Sequence, residues 1–271
     1  MALPRLHLFE LEDQPWFPAA IRDLATDYLH FVETTFHLHE PIIPPLVAAL
    51  EATHSDHIVD LCSGGAGPVP ALCVALAARG ISIRFTLTDR FPNMAAFQRA
   101  ASSSPGAISF LSQPIDARSV PAELQGFRTI FNSFHHFTPA EATAILRDAV
   151  AARQPIGIFE IPERSLPILL SMLLTPFFVV LTTPFIRPFR WRRLLWTYLV
   201  PFVPLTCWWD GMVSQLRAYT VEELRALIAD LADPSFEWQV GRAAIASTYA
   251  HVTHAIGRPR AQPNTRHLTS A

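Results

Sequence analysis

Asp60, followed by Leu61-Cys62-Ser63-Gly64-Gly65-Ala66-Gly67, is the stretch of this chain best equipped for chemistry. The short β-branched run before it, His57-Ile58-Val59, reads as a strand, and Val69, Leu72, Ala75 and Leu76 after it recur at helical spacing. Strand, acid, small-residue turn and helix together make a cradle for a nucleotide-like ligand. Small side chains let a ligand approach the backbone, and the helix start offers unpaired N–H groups. The acid selects the ligand: a carboxylate this close to the turn repels a pyrophosphate and attracts a cation.

With Asp60 as the acid, the turn resembles the acid-x-Gly-x-Gly-x-Gly signature of class I methyltransferases that use S-adenosylmethionine (SAM), which carries a sulfonium and an ammonium. Cys62 and Ala66 stand where glycines are usual; both are small, and both are expected to avoid positive φ. Read as Gly-x-Gly-x-x-Gly, the same stretch gives Cys62, Gly64 and Gly67, a partial dinucleotide fingerprint. Asp60 and the missing glycine at position 62 disfavour that alternative, a nicotinamide-dependent oxidoreductase. The resemblance covers roughly residues 57–160 and the C-terminal strands. It implies that Asp60 holds the ammonium, directly or through water, and that the backbone at Cys62, Gly64 and Gly65 passes the ligand. It implies further that Asp89, at the end of strand Ile81–Thr88, carries the ribose hydroxyls. By the same resemblance Asp116, after a third strand Ile108–Leu111, is expected to reach the adenine amino group, and Asn132, after a fourth strand begun at Arg128, to border the cofactor.

Methyl transfer is an in-line displacement, so the acceptor atom must be held behind the methyl group and its proton must have somewhere to go. Ser133, His135 and His136 lie on the side where the family receives the acceptor. A histidine there could take a proton near neutral pH, His135 ahead of His136. Glu160, ending a fifth strand Ile156–Glu160, would orient the substrate or neutralise a cationic acceptor. The plainer alternatives are local packing for the histidines and an ion pair with Arg164 for Glu160. Trp209, Asp210, Arg217 and Tyr219 either face the substrate pocket or anchor the segment before them to the sheet, and His251 and His254 read as strand-surface residues. Cys62, Cys73 and Cys207 have no metal-binding spacing, an odd cysteine count suits a reducing compartment, and no metal is expected.

Composition narrows the field. Half of the 271 residues are hydrophobic, enough for a large core. A net charge of −2 leaves no broad footprint for nucleic acid. Every one of the 21 basic side chains is arginine, which excludes Schiff-base chemistry, lysine-anchored pyridoxal phosphate and a phosphate-loop lysine. The start of the chain turns acidic within a dozen residues and does not read as a secretory signal, so a cytoplasmic protein is expected.

The elements that must position these residues follow from periodicity. Residues 1–54 are expected to hold an irregular arm, with Glu10, Glu12, Asp13, Trp16 and Phe17, then a helix through Ile21, Leu24, Tyr28, Phe31 and Val32 and a shorter one from Pro45. Residues 55–257 are expected to form the SAM-binding domain, and 258–271 a disordered tail. Thr138, Pro139 and Glu141 spell a capping box, repeated by Thr220 and Glu223. Phe236–Val240 and Tyr249–Ile256 read as final strands. The fold expected is α/β: a Rossmann-like, seven-stranded, mostly parallel sheet with an antiparallel C-terminal edge strand, helices on both faces and an apolar helical insertion, 165–209. No residue from Ser165 to Ile186 is charged; Arg187, Arg190, Arg192 and Arg193 then cluster, and Leu194–Trp209 is uncharged again. Paired crossings would put that arginine loop on the translocated side, and Pro167, Pro176 and Pro184 interrupt the first run, so spanning is disfavoured. The insertion is expected either to be a helical lid on the substrate pocket or to lie in the inner membrane surface. In the second case the arginines meet anionic headgroups and Trp191, Trp196, Tyr198, Trp208 and Trp209 sit at the interface. The sequence therefore points to methylation of a small, hydrophobic or lipid-like acceptor, with a SAM-binding, non-catalytic membrane-surface protein as the alternative.

Overall fold

The computed structural model describes residues 3–246 and 250–260. Strands β1 (His57–Leu61), β2 (Arg84–Leu87), β3 (Ile108–Phe110), β4 (Phe127–Phe131), β5 (Ile156–Glu160), β6 (Phe236–Ala244) and β7 (His251–Pro259) form one sheet in the order β3-β2-β1-β4-β5-β7-β6. The first five are parallel. The C-terminal strand β7 runs antiparallel between β5 and β6, so β6 forms the edge. Burial explains their composition: every residue of β4 and β5 is buried, as parallel strands covered on both faces must be.

Helices cover both faces. Helices α2 (Ile43–Thr53), α3 (Val69–Ala77) and α4 (Met94–Ser103) bury Leu46, Leu72 and Phe97 in one core with Ile58 and Phe85 of the sheet. On the other face, α5 (Pro139–Ala151) and α10 (Val221–Ala229) bury Leu146 and Leu224 with Val59 and Ile158. Both capping boxes form, Thr138 with Glu141 and Thr220 with Glu223. A third core joins α1 (Ala19–Thr35) to the insertion, where Ile21, Leu24 and Tyr28 meet Val179, Ile186, Val203 and Cys207.

The insertion comprises α6 (Leu166–Met172), α7 (Thr175–Thr182), the short α8 (Trp191–Leu194) and α9 (Phe202–Arg217). No single helix among the described residues is long and apolar enough to cross a membrane; α6 and the α7 segment to Phe185 make one bent apolar pair, at 48°. Arg193 does not join its neighbours at the surface. It is buried, pairs with Asp27 of α1 at 2.5 Å and donates to the carbonyls of Ile186 and Pro188. Arg190 also leans toward Asp27, at 3.6 Å.

Several boundaries differ from the sequence reading. β2 begins at Arg84 rather than Ile81, and β6 continues to Ala244. β7 runs to Pro259, so Arg258 and Pro259 belong to the sheet rather than to a tail, and the amide of Arg260 just beyond donates to Ser235 O at 2.7 Å. Tyr249 and residues 261–271 lie outside the described residues. His254 is buried, not on the strand surface, because Gly241 on β6 leaves room for its imidazole.

Candidate functional site at the ends of β1, β4 and β5

The strand order reverses between β1 and β4, and open α/β sheets bind ligands in the crevice at such a point, beyond the carboxyl ends of the strands. Asp60 sits there, 2% exposed. Its Oδ2 accepts the Ser63 hydroxyl at 2.6 Å and its Oδ1 the Thr129 hydroxyl of β4 at 2.7 Å. The Asp60 carbonyl takes the amide and hydroxyl of Thr88, each at 2.9 Å. Burial pushes the Asp60 carboxyl up to about 7; the two hydroxyls oppose the shift and nearby Asp89 adds to it. Buried and already bonded, Asp60 presents no free face to a ligand here, so its influence reaches the turn as charge and through Ser63.

The turn above it is left-handed at four residues: Cys62 (φ 59°), Gly64 (49°), Ala66 (77°) and Gly67 (43°). The expectation that Cys62 and Ala66 avoid positive φ is therefore corrected. A side chain in this region costs roughly 1–2 kcal/mol. Bonds made by the turn offset that cost: Ser63 N donates to Thr88 O, Ala66 N to Ser63 O, and Gly64 N to Asp89 Oδ2 at 2.8 Å. Gly64 and Gly65 are exposed; beside Gly64 lies open space, and Thr26 of α1 flanks Gly65. The open peptide edge is therefore at Gly64, while α1 closes on Gly65.

The other expected cofactor residues are placed around this turn with partners of their own. Asp89 uses its second oxygen for the Phe91 amide at 2.7 Å, so it braces two loops; the cap of α4 is Asn93. Asp116 is held by Arg118, through the guanidinium and the backbone amide, which brings its carboxyl down to about 2. Asn132, at φ 49°, accepts the Ile161 amide and donates to Glu33 of α1 at 3.2 Å. Glu33, Ser63 and Thr129 were not singled out in the sequence; only tertiary contact gives them a role.

On the acceptor side, His135 and His136 follow β4 in a single helical turn, with ring centroids 4.3 Å apart. His135 is buried, and its Nδ1 lies 2.5 Å from Glu160 Oε2; the other Glu160 oxygen accepts the Phe134 amide. Burial pushes the Glu160 carboxyl up, but the His135 imidazole and the Phe134 amide outweigh it and hold it below the ordinary value. Glu160 does not pair with Arg164, which binds Glu223 instead. His136 is partly exposed, and its Nδ1 lies 3.1 Å from Asp13. Burial works against its charge, yet Asp13 and Glu10 raise it to about 9.

The four expected substrate residues turn out to hold the N-terminal arm. Trp209 donates to Phe9 O, and Asp210 accepts the amides of Leu11 and Glu12. Arg217 donates to Leu8 O and reaches Asp13 and Glu10 at 3.0 and 3.2 Å. Tyr219 donates to Phe137 O and lies beneath the Arg5 guanidinium. The arm thereby delivers Glu10 and Asp13 to the histidines. Its acidity was visible in sequence, but its docking place was not.

No family model matches this sequence, and neither does any curated protein. Solved structures do match. The S-adenosylmethionine-dependent methyltransferase SibL, in its apo form, superposes with a TM-score of 0.53 at 14% identity, over 94% of this chain and 64% of that one. LaPhzM superposes with 0.52 at 17% identity, over 89% of this chain and 60% of that one. This chain thus spans less than two thirds of either relative. The architecture is the Rossmann-like methyltransferase fold.

Two consequences of the turn are measurable. Ala66→Gly should raise stability by about 1 kcal/mol in urea unfolding, by relieving the left-handed alanine; unchanged or lower stability would contradict that strain. An acid whose folded pKa is raised stabilises most below its unfolded value, and that contribution is lost as pH rises from about 4 through about 7. Relative to the parent, Asp60→Asn should therefore gain stability from pH 4 to pH 8, by at most on the order of 4 kcal/mol. A pH-independent difference would show that Asp60 ionises freely.

Proposed function

We propose that the chain binds SAM at the Asp60–Gly67 turn and transfers its methyl group to a small, hydrophobic or lipid-like acceptor. The observation that carries this reading is the turn itself. Exposed glycine backbone lies at the switch point of a methyltransferase-type sheet, over the buried Asp60 carboxylate. A sulfonium and an ammonium would draw that acid into its charged form, whereas a pyrophosphate would face Asp60 and Asp89 together. The acceptor would meet His136, the partly exposed histidine, with Glu160 fixing His135 beside it. Asp13 and Glu10 hold His136 charged near neutral pH, so it would serve as a hydrogen-bond donor rather than as the base expected from sequence.

The lipophilic character of the acceptor is supported by the insertion. Among the described residues, 15 of the 23 exposed large hydrophobic side chains lie within 165–209, about a sixth of the chain. Leu170, Leu174, Phe177, Leu181 and Phe185 are all more than half exposed. Arg187 and Arg192 are exposed in the same segment, and Trp191 is 65% exposed. Such a surface fits an anionic membrane face, from which an apolar acceptor would be drawn. The aromatic belt is smaller than the sequence reading had it, since Trp196 stacks on Phe202 and Trp209 bonds to the arm.

Methyl-labelled SAM incubated with the protein and a lipid extract should place label in the organic phase. His136→Ala should cut that labelling at least tenfold while leaving SAM affinity within about twofold. Anionic vesicles should sediment the protein, and Arg187→Gln with Arg192→Gln should weaken this. Label confined to aqueous products would overturn the lipophilic acceptor, and absence of any labelled product would overturn turnover.

A further inference from the structure

Three atoms able to ligate a metal converge where the N-terminal arm meets the histidines. The Nε2 atoms of His135 and His136 lie 3.7 Å from Glu10, one facing Oε1 and the other Oε2. All three ligand atoms fall within 4.8 Å of one another. Each imidazole is turned the same way: Nδ1 against a carboxylate, Glu160 for His135 and Asp13 for His136, and Nε2 toward Glu10. With Nδ1 engaged in both rings, Nε2 is the nitrogen left to face Glu10, and a bound cation would displace any proton it carries. The Nε2 of His135 is fully buried and has no hydrogen-bond partner, while Glu10 is itself 5% exposed. At 3.7 Å a protonated Nε2 would still be too far from Glu10 for a hydrogen bond. Glu10 Oε1 is served by the Ser214 hydroxyl and Arg217, but the buried His135 Nε2 has no partner, a cost that a cation between it and Glu10 would remove.

We infer that Glu10, His135 and His136 form a binding site for a divalent cation of the zinc–cobalt–manganese group. Nitrogen and oxygen ligands at roughly 2.0–2.2 Å from a four-coordinate ion stand about 3.3–3.6 Å apart, so the 3.7 Å approaches of the histidines to Glu10 need only a few tenths of an ångström, and the cluster as a whole, within 4.8 Å, closes by about 1 Å at most. Two imidazoles and one carboxylate leave a fourth position open for water or for an oxygen of a ligand. Glu160 and Asp13 supply the outer carboxylates that orient metal-bound histidines. Arg217 touches Glu10 Oε1, the oxygen facing His135, together with Asp13 and His136 Nδ1, so it fixes the arm beside the site. The sequence had suggested no metal because its ligands come from an arm and a turn more than a hundred residues apart.

This inference stands on ligand geometry and not on the methyl-transfer reading. The test is titration of chelator-treated full-length protein at pH 8 with Co²⁺ and with Zn²⁺, followed by the visible absorption of Co²⁺ and by calorimetry. One ion per chain is expected, with the intense visible bands of a four-coordinate nitrogen–oxygen site. Glu10→Gln and His136→Asn should each weaken binding roughly 100-fold or more, Glu160→Gln by about 10–100-fold, and the distant His251→Asn not at all. Circular dichroism establishes that each variant is folded. Binding weaker than millimolar by the folded parent, or affinity unchanged in both Glu10→Gln and His136→Asn, would overturn the site. SAM titrated into the same metal-free protein reports on the cofactor separately.

Discussion

One buried carboxylate organises the ligand end of this sheet. Asp60 ends β1, and its two oxygens tie the strand to Thr129 of β4 and to Ser63 of the following turn, while its carbonyl holds Thr88 at the end of β2. Three strand ends are thereby locked at the place where the strand order reverses. The turn above can then carry two non-glycine residues in the left-handed region, a strain that its own amide bonds and Asp89 offset. Desolvation raises the Asp60 carboxyl, so the acid is poised to gain charge when a cation arrives.

A second layer is built from the N-terminal arm. Asp210, Arg217 and Trp209 bind its backbone, and the arm in turn sets Glu10 and Asp13 against the two histidines. The helix that carries these anchors, α9, also packs on α1, and α1 reaches back to the turn through Thr26 and to β4 through Glu33. Polar contacts thus face the sheet while the outer side of the insertion stays apolar. Arm, insertion and cofactor turn form one connected structure around the strand ends.

Local patterns carried most of the fold. β1, β5, both capping boxes and the small-residue turn could be read because period, caps and breakers act over a few residues. The positive φ of Cys62 and Ala66 could not, because bonds to Thr88 and Asp89, more than twenty residues away, override the preference of the side chains. Arg193 looked like one of four surface arginines until Asp27, 166 residues earlier, drew it inward. The same reason hid the roles of Trp209, Asp210 and Arg217: their partners lie about 200 residues away in an arm without periodicity. Chemistry-bearing residue types were visible, but their pairing was a property of the folded chain.

The central claim is that this acid-backed turn takes a cationic nucleoside rather than a polyanionic one. Calorimetric titration with SAM and with NAD near pH 7, in buffers of differing ionisation enthalpy, tests it most directly. The account predicts one SAM per chain with net release of a proton as Asp60 becomes charged, that release disappearing in Asp60→Asn, and no comparable binding of NAD. Preferential binding of NAD, or SAM binding with the same proton balance in Asp60→Asn, would contradict it.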